Sequence, residues 1–132
     1  MNIKDIAEPS GLIFGINHHD QTLVGFATCA GKCTLEIATD EGDEICLEFS
    51  GLFSSSIRKF LRKTIILSMF LWETARVPDW FLKDALYSEC LEDGPITSKY
   101  VFFMDSSYGA SVCVLFDSMR VTVNGVHIIF EI

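Results

Sequence analysis

The side chains able to do chemistry are few and poorly spaced for it. His18, His19 and Asp20 form the one dense group of metal-capable residues. Neighbours on an extended chain point to opposite faces, so adjacent histidines rarely hold one ion. A third ligand would have to come from His127 or from the carboxylates at 40–44, and no spacing supplies it. The group reads as a polar loop entering a strand, with Asp20 bonding the turn backbone. No metal site is expected. Ser54, Ser55, Ser56 or Cys113 combine on paper with His18, His19 or His127 into nucleophile–base sets, but no Gly-x-Ser-x-Gly elbow presents a serine. Gly109 and Gly125 are isolated turn glycines, and neither Gly-x-Gly-x-x-Gly nor Gly-Lys-Ser/Thr occurs, so no phosphate loop and no cofactor is expected. Asp40, Glu41, Asp43 and Glu44 lack the order of a calcium loop. The expectation is a protein without catalytic residues, not an enzyme.

The cysteines point the same way. Cys29, Cys33, Cys46, Cys90 and Cys113 are odd in number and contain no Cys-x-x-Cys. They read as small, free, buried hydrophobes and not as a disulfide scaffold or zinc site.

What remains is charge. The 132 residues carry a formal net charge of −8. Residues 1–56 contribute −7 and residues 64–132 contribute −5, while Arg58, Lys59, Arg62 and Lys63 contribute +4. A net-acidic chain repels nucleic-acid phosphates, so no nucleic acid is expected as a partner. It attracts and steers a basic protein. The densest acid lies at Glu36, Asp40, Glu41, Asp43, Glu44 and Glu48, the candidate partner-binding residues. Solubility alone accounts for acid on a surface in many proteins. The basic stripe 58–63 has no interleaved aromatic and is too short for a membrane-surface helix.

The elements that must position these residues are mostly strands. Residues 22–29, 33–40 and 44–51 alternate and are joined by short Gly-containing turns, which predicts a three-strand meander with one acidic face. Ser54–Ser56 are expected to cap two turns of amphipathic helix, with Ile57, Phe60 and Leu61 opposite Arg58, Lys59, Arg62 and Lys63. Residues 64–73 lose that period, and their β-branched start favours a strand. Val77-Pro78 then breaks the chain, and Asp79 caps a helix over 80–91. The last third returns to strands at 98–105, 110–117, 119–123 and 126–132, with a turn at 106–109 and a hairpin at Asn124-Gly125. A short strand is expected at 12–16. The fold class is α+β, a single domain over 1–132: mostly antiparallel sheet in two meanders, with one or two helices in the middle packing on it. The longest uncharged apolar run in the middle, 64–72, is half of what a spanning helix needs, and the N-terminus lacks a signal-peptide stretch. A cytoplasmic protein without membrane contact is expected.

The order of motifs resembles a group of small bacterial domains that look like immunity proteins, which neutralise a cognate toxin. His19-Asp20 opens the strand TLVGFATC, and a hairpin with Leu35 and Glu36 follows. ICLEFSGL closes the first meander, and VFFMDSSYGASVCVLF, with Val112 and Cys113, comes much later. The likeness spans 18–52 and 98–117. It implies a strand at 64–73 and brings no catalytic residues. Two functions follow. The first is a non-enzymatic binding protein of immunity type that neutralises a basic partner. The alternative is a small-ligand or enzymatic domain with a pocket between helix 80–91 and the sheet, lined by Trp72, Trp80, Tyr87 and His127. The strand 126–132 is an expected sheet edge, through which a homodimer would form.

Overall fold

The computed structural model describes residues 2–14, 21–59, 64–91 and 94–132. Among these residues nine strands form one antiparallel sheet: β1 Thr22–Cys29, β2 Lys32–Ala38, β3 Glu44–Ser50, β4 Ser54–Arg58, β5 Thr64–Glu73, β6 Tyr100–Tyr108, β7 Ser111–Phe116, β8 Ser118–Val123 and β9 His127–Glu131. Two short helices, α1 Asp79–Leu82 and α2 Ala85–Cys90, pack on it. The strand order is β4-β7-β6-β5-β1-β2-β3-β8-β9. The α+β layout, the first meander and the strand over 64–73 are as the sequence predicts. β5, β6 and β7 make the second run of neighbours. β8 and β9 leave that run and add to β3.

That departure rolls the sheet up. Only Asp117 separates β7 from β8, and only 51–53 separate β3 from β4. Ser50 pairs with Ser118 on one side of this corner and Ser54 with Leu115 on the other. One antiparallel ribbon therefore runs through the bend, and Asp117 N–H donates to Ser50 O at 3.0 Å within it. Its β7 half also pairs with β6, and its β8 half pairs with β3. The ring β1, β2, β3–β4, β7–β8, β6, β5 is thus continuous. The β1–β5 join is the short one, confined to Thr22↔Ile65 and Leu23↔Thr64. Farther along β5, residues 11–13 take over: Ile13 N–H donates to Met69 O, and Leu71 N–H donates to Gly11 O.

Period-2 alternation sends one set of side chains into the ring. Cys33, Leu35, Ile37, Leu47, Phe49, Val112, Val114, Phe116 and Val121 are fully buried there. The Phe49 ring meets Phe102 and Phe116 at centroid distances of 5.0 and 4.7 Å, joining β3 to β6 and β7 across the interior. A second apolar layer lies outside β5, β6 and β7. Phe70, Trp72, Phe103, Cys113 and Leu115 are covered there by Phe81, Leu86, Tyr87 and Cys90 from the helices. β7, and β5 and β6 where the helices cover them, are buried on both faces, while Leu67 near the start of β5 stands 52% exposed. β2 and β3 keep one face in water.

Four expectations are corrected. The helix expected from Ser54 is a strand up to Arg58: Ser54–Arg58 pair residue by residue with β7, and long-range pairing overrides local amphipathicity. Phe60, Leu61, Arg62 and Lys63 lie outside the described residues. The helix over 80–91 is two helices, because Asp84 is extended (φ −72°, ψ 136°) and its carboxylate accepts from Leu86 N–H at 2.8 Å. Asp79 is the first residue of α1, and Pro78 stands at the cap. The turn placed at 106–109 comes later, since Tyr108 still pairs with Ile65, and Ala110 N–H donates to Thr64 Oγ1 at 3.2 Å. At 12–16, Leu12 and Ile13 make isolated bridges, and 15–16 lie outside the described residues.

The corner makes a stringent steric demand. Gly51 has φ +64°, and a Cβ there would stand 2.7 Å from the Asp117 side chain. Gly51→Ala is therefore expected to cost about 2 kcal/mol or more, from backbone strain plus the clash. Gly42→Ala, with φ +87° but open space around it, is expected to cost about 1 kcal/mol. Urea denaturation of both variants checks this, and equal costs would contradict the corner's role.

Candidate functional site

Burial of one face of β2 and β3 fixes what the other face shows. With Cys33, Leu35, Ile37, Ile45, Leu47 and Phe49 inward, parity turns Thr34, Glu36, Glu44, Cys46 and Glu48 outward. Cross-strand partners share a face, so the register lays out rows. Thr34, Glu48, Arg120 and Glu131 form one, and Glu36, Cys46, Thr122 and Ile128 the next. Glu36 lies over Gly25 of β1, where a Cβ would stand 2.9 Å from its Oε2. Three of the six acidic residues singled out from the sequence, Glu36, Glu44 and Glu48, thus share this face with Glu131, and Asp40, Glu41 and Asp43 sit in the turn that joins β2 to β3.

The acidic tip is held in place. Thr39 N–H donates to Asp43 O at 3.0 Å, and Asp43 N–H donates to Thr39 Oγ1 at 3.0 Å. Asn124, in the β8–β9 turn, accepts from Glu44 N–H with its Oδ1 at 2.9 Å. It donates from Nδ2 to Asp43 at 3.0 Å and from its backbone N–H to Glu44 O at 2.7 Å. The two hairpin tips are therefore clamped side by side. No feature of the sequence pattern marks Asn124 as more than a turn residue.

Among the described residues little positive charge answers this face. Lys32 approaches Glu48 at 3.5 Å with both side chains largely in water, a pair worth about 0–1 kcal/mol. Arg120, opposite Glu48, turns to Glu131 at 3.1 Å. Among the described residues, Glu36, Asp40, Glu41 and Glu44 have no ion-pair partner. The field is felt by Cys46: burial pushes its thiol pKa up, and Glu36, Glu48 and Glu44 push it further.

The alternative site has a physical counterpart of different composition. A cleft of about 540 Å³ opens between Asp84 and Leu86 on the helix side and Phe103, Asp105 and Ser106 on β6, with Arg58 and Lys59 at its margin. None of the four residues expected to line it does so. Trp72 and Tyr87 are buried in the outer apolar layer, Trp80 stands 53% exposed over it, and His127 is exposed on β9. Trp72 instead borders a cleft of about 640 Å³ beside the N-terminal segment and donates from Nε1 to Ser10 O at 3.0 Å. Two charged residues that line the first cleft, Asp84 and Arg58, are already engaged. Asp84 caps α2. Glu89 accepts from Arg58 and from Ser56 Oγ, and these contacts hold its carboxyl below the usual range.

His18, His19 and Asp20 lie outside the described residues. Among the described residues no group of three or more His, Cys, Asp or Glu side chains is placed to hold a metal ion. Ser56 is tied to Glu89, and Cys113 is buried beneath α2, where Cys90 Sγ donates to its carbonyl at 3.6 Å. A side-chain hydrogen bond with Cys90 that favours the neutral thiol, together with burial, holds Cys113 well above its ordinary pKa, and burial pushes Cys33 up to about 12. Thiolate is the reactive form, so both are inert in the folded chain. Iodoacetamide at mildly alkaline pH is expected to label exposed Cys29 first and Cys33, Cys90 and Cys113 only on unfolding. Mass spectrometry of the labelled peptides reads the order, and rapid native labelling of Cys113 would contradict it.

No protein-family model, no curated protein and no solved structure matches the chain.

Proposed function

We propose that this chain is a non-enzymatic binding protein of immunity type, which docks the acidic face of β2 and β3 on a basic protein and blocks it. The observation that carries the reading is the concentration of Glu36, Asp40, Glu41, Asp43, Glu44 and Glu48 on one clamped hairpin, with four of them unpaired among the described residues. A carboxylate field of this kind raises the association rate with a cationic surface and disfavours anionic ones. Its charges need not move on docking, because the strands and Asn124 already fix the backbone beneath them. The resemblance to immunity-type domains points to a toxin as the partner, met in the bacterial cytoplasm. No helix among the described residues is long and apolar enough to cross a membrane.

The cleft between α2 and β6 favours a second reading, a small-ligand site, and a metabolite that raises the melting temperature by several degrees in a thermal-shift screen would support it.

The test of the first reading is capture from the native host at low salt. A basic protein is expected on the wild-type chain, released as salt is raised. Glu36→Gln, Glu44→Gln and Glu48→Gln together are expected to weaken it roughly tenfold or more, at about 0.5 kcal/mol or more per charge. A partner retained equally by the triple variant, or no protein partner at either salt, would overturn the proposal.

A further inference from the structure

β9 ends the strand order, and among the described residues its far side pairs with no strand. It carries Ile128, 53% exposed, beside Val126, 75% exposed in the turn before it. An open edge presents backbone N–H and C=O groups to any extended chain. β9 is also continuous with the acidic face. Along one row Glu48, Arg120 and Glu131 alternate in sign across β3, β8 and β9. Neighbouring strands lie about 4.8 Å apart, and opposite charges attract while like charges repel across that spacing. The next position in the row calls for a cation. On the inner side, Phe130 is buried against the core, and the residue beside it meets apolar surface.

The edge also carries a guard. β9 has only five residues and is bulged at Ile129, where the register with β8 slips. Short, bulged edges ending in a charge resist pairing with copies of themselves. This guard is selective by sign, because Glu131 repels another acidic copy and attracts a basic strand. A second copy carries the same net charge of −8 over its whole chain.

Resting on the proposed acidic docking face, we infer that the basic partner adds an extended segment to the free edge of β9. Lys or Arg at alternate positions would turn toward Glu131 and the carboxylate face, and apolar residues between them would turn toward Phe130. The occupant is a strand of a cationic polypeptide, held by main-chain hydrogen bonds and read by alternation.

The test uses the full chain and two dye-labelled peptides of identical composition in fluorescence polarisation. One peptide alternates Lys with Val, and the other carries its Lys and its Val in two blocks. The alternating peptide is expected to bind at least about tenfold more tightly at low salt. Ile128→Lys, which sets a cation on the edge, is expected to erase that advantage. Glu36→Gln with Glu44→Gln is expected to weaken both peptides alike. Circular dichroism verifies folding, and Val126→Lys replaces Ile128→Lys if the latter unfolds. Equal binding of the two peptides, or an advantage that survives the lysine, overturns strand addition. The acidic face then still stands if both peptides lose affinity with the glutamines. Binding of neither peptide overturns the docking face as well. Sedimentation that shows a wild-type dimer, dissolved by Ile128→Lys, assigns the edge to a second copy and overturns the inference.

Discussion

The bend of one β-ribbon at Gly51 and Asp117 is the constraint on which the rest of the molecule depends. Without it, β3–β8 and β4–β7 are two hairpin-like ladders at opposite ends of a sheet. With it they are one ladder, and the sheet encloses Phe49, Phe102 and Phe116. Closure decides which face of every strand is inside, and a one-residue slip would send Glu36, Glu44 and Glu48 into that interior. The place where the chain turns thus also determines where its charge appears.

The outside of the ring is covered unevenly. α1 and α2 shelter β5–β7, where Trp72, Phe81 and Phe103 form a second buried layer, and Ser56 and Arg58 hold α2 through Glu89. Among the described residues no helix covers β2, β3 and β8. Six carboxylates placed beneath a helix would each need a partner or a proton, because buried charge is costly. On the open side water solvates them at little cost. The division of the sheet into a covered half and an acidic half is the physical basis for reading the molecule as a binding protein.

Strands whose two faces differ were legible in the sequence. β2 and β3 alternate almost without exception, so their acidic face follows from parity, although β2 ends at Ala38, two residues before the expected 40, and β3 at Ser50. Asn124-Gly125 announced its hairpin, and both residues do adopt positive φ, at 53° and 69°. Legibility failed where distant partners decide. Ser54–Arg58 carry a helix-like pattern, yet β7 claims them as a strand. Asp84 interrupts a good helical period because its side chain caps the second helix better than its backbone continues the first. Glu131 escaped notice as part of the acidic face, because only the β8–β9 register places it beside Arg120. The clamp made by Asn124 joins residues about eighty positions apart, a separation that local pattern does not span.

The claim that the ring leaves an uncompensated negative field on β2–β3 is tested most directly by titrating Cys46, which sits within that face. The rate of alkylation against pH gives the thiol pKa without a partner or an assumed ligand. The account predicts a value above the ordinary 9.0 that falls part of the way back in a Glu36→Gln, Glu48→Gln variant and in high salt, with the remainder set by burial. A Cys46 that titrates at the ordinary value, or whose raised value ignores both salt and the removal of its neighbouring carboxylates, would contradict it.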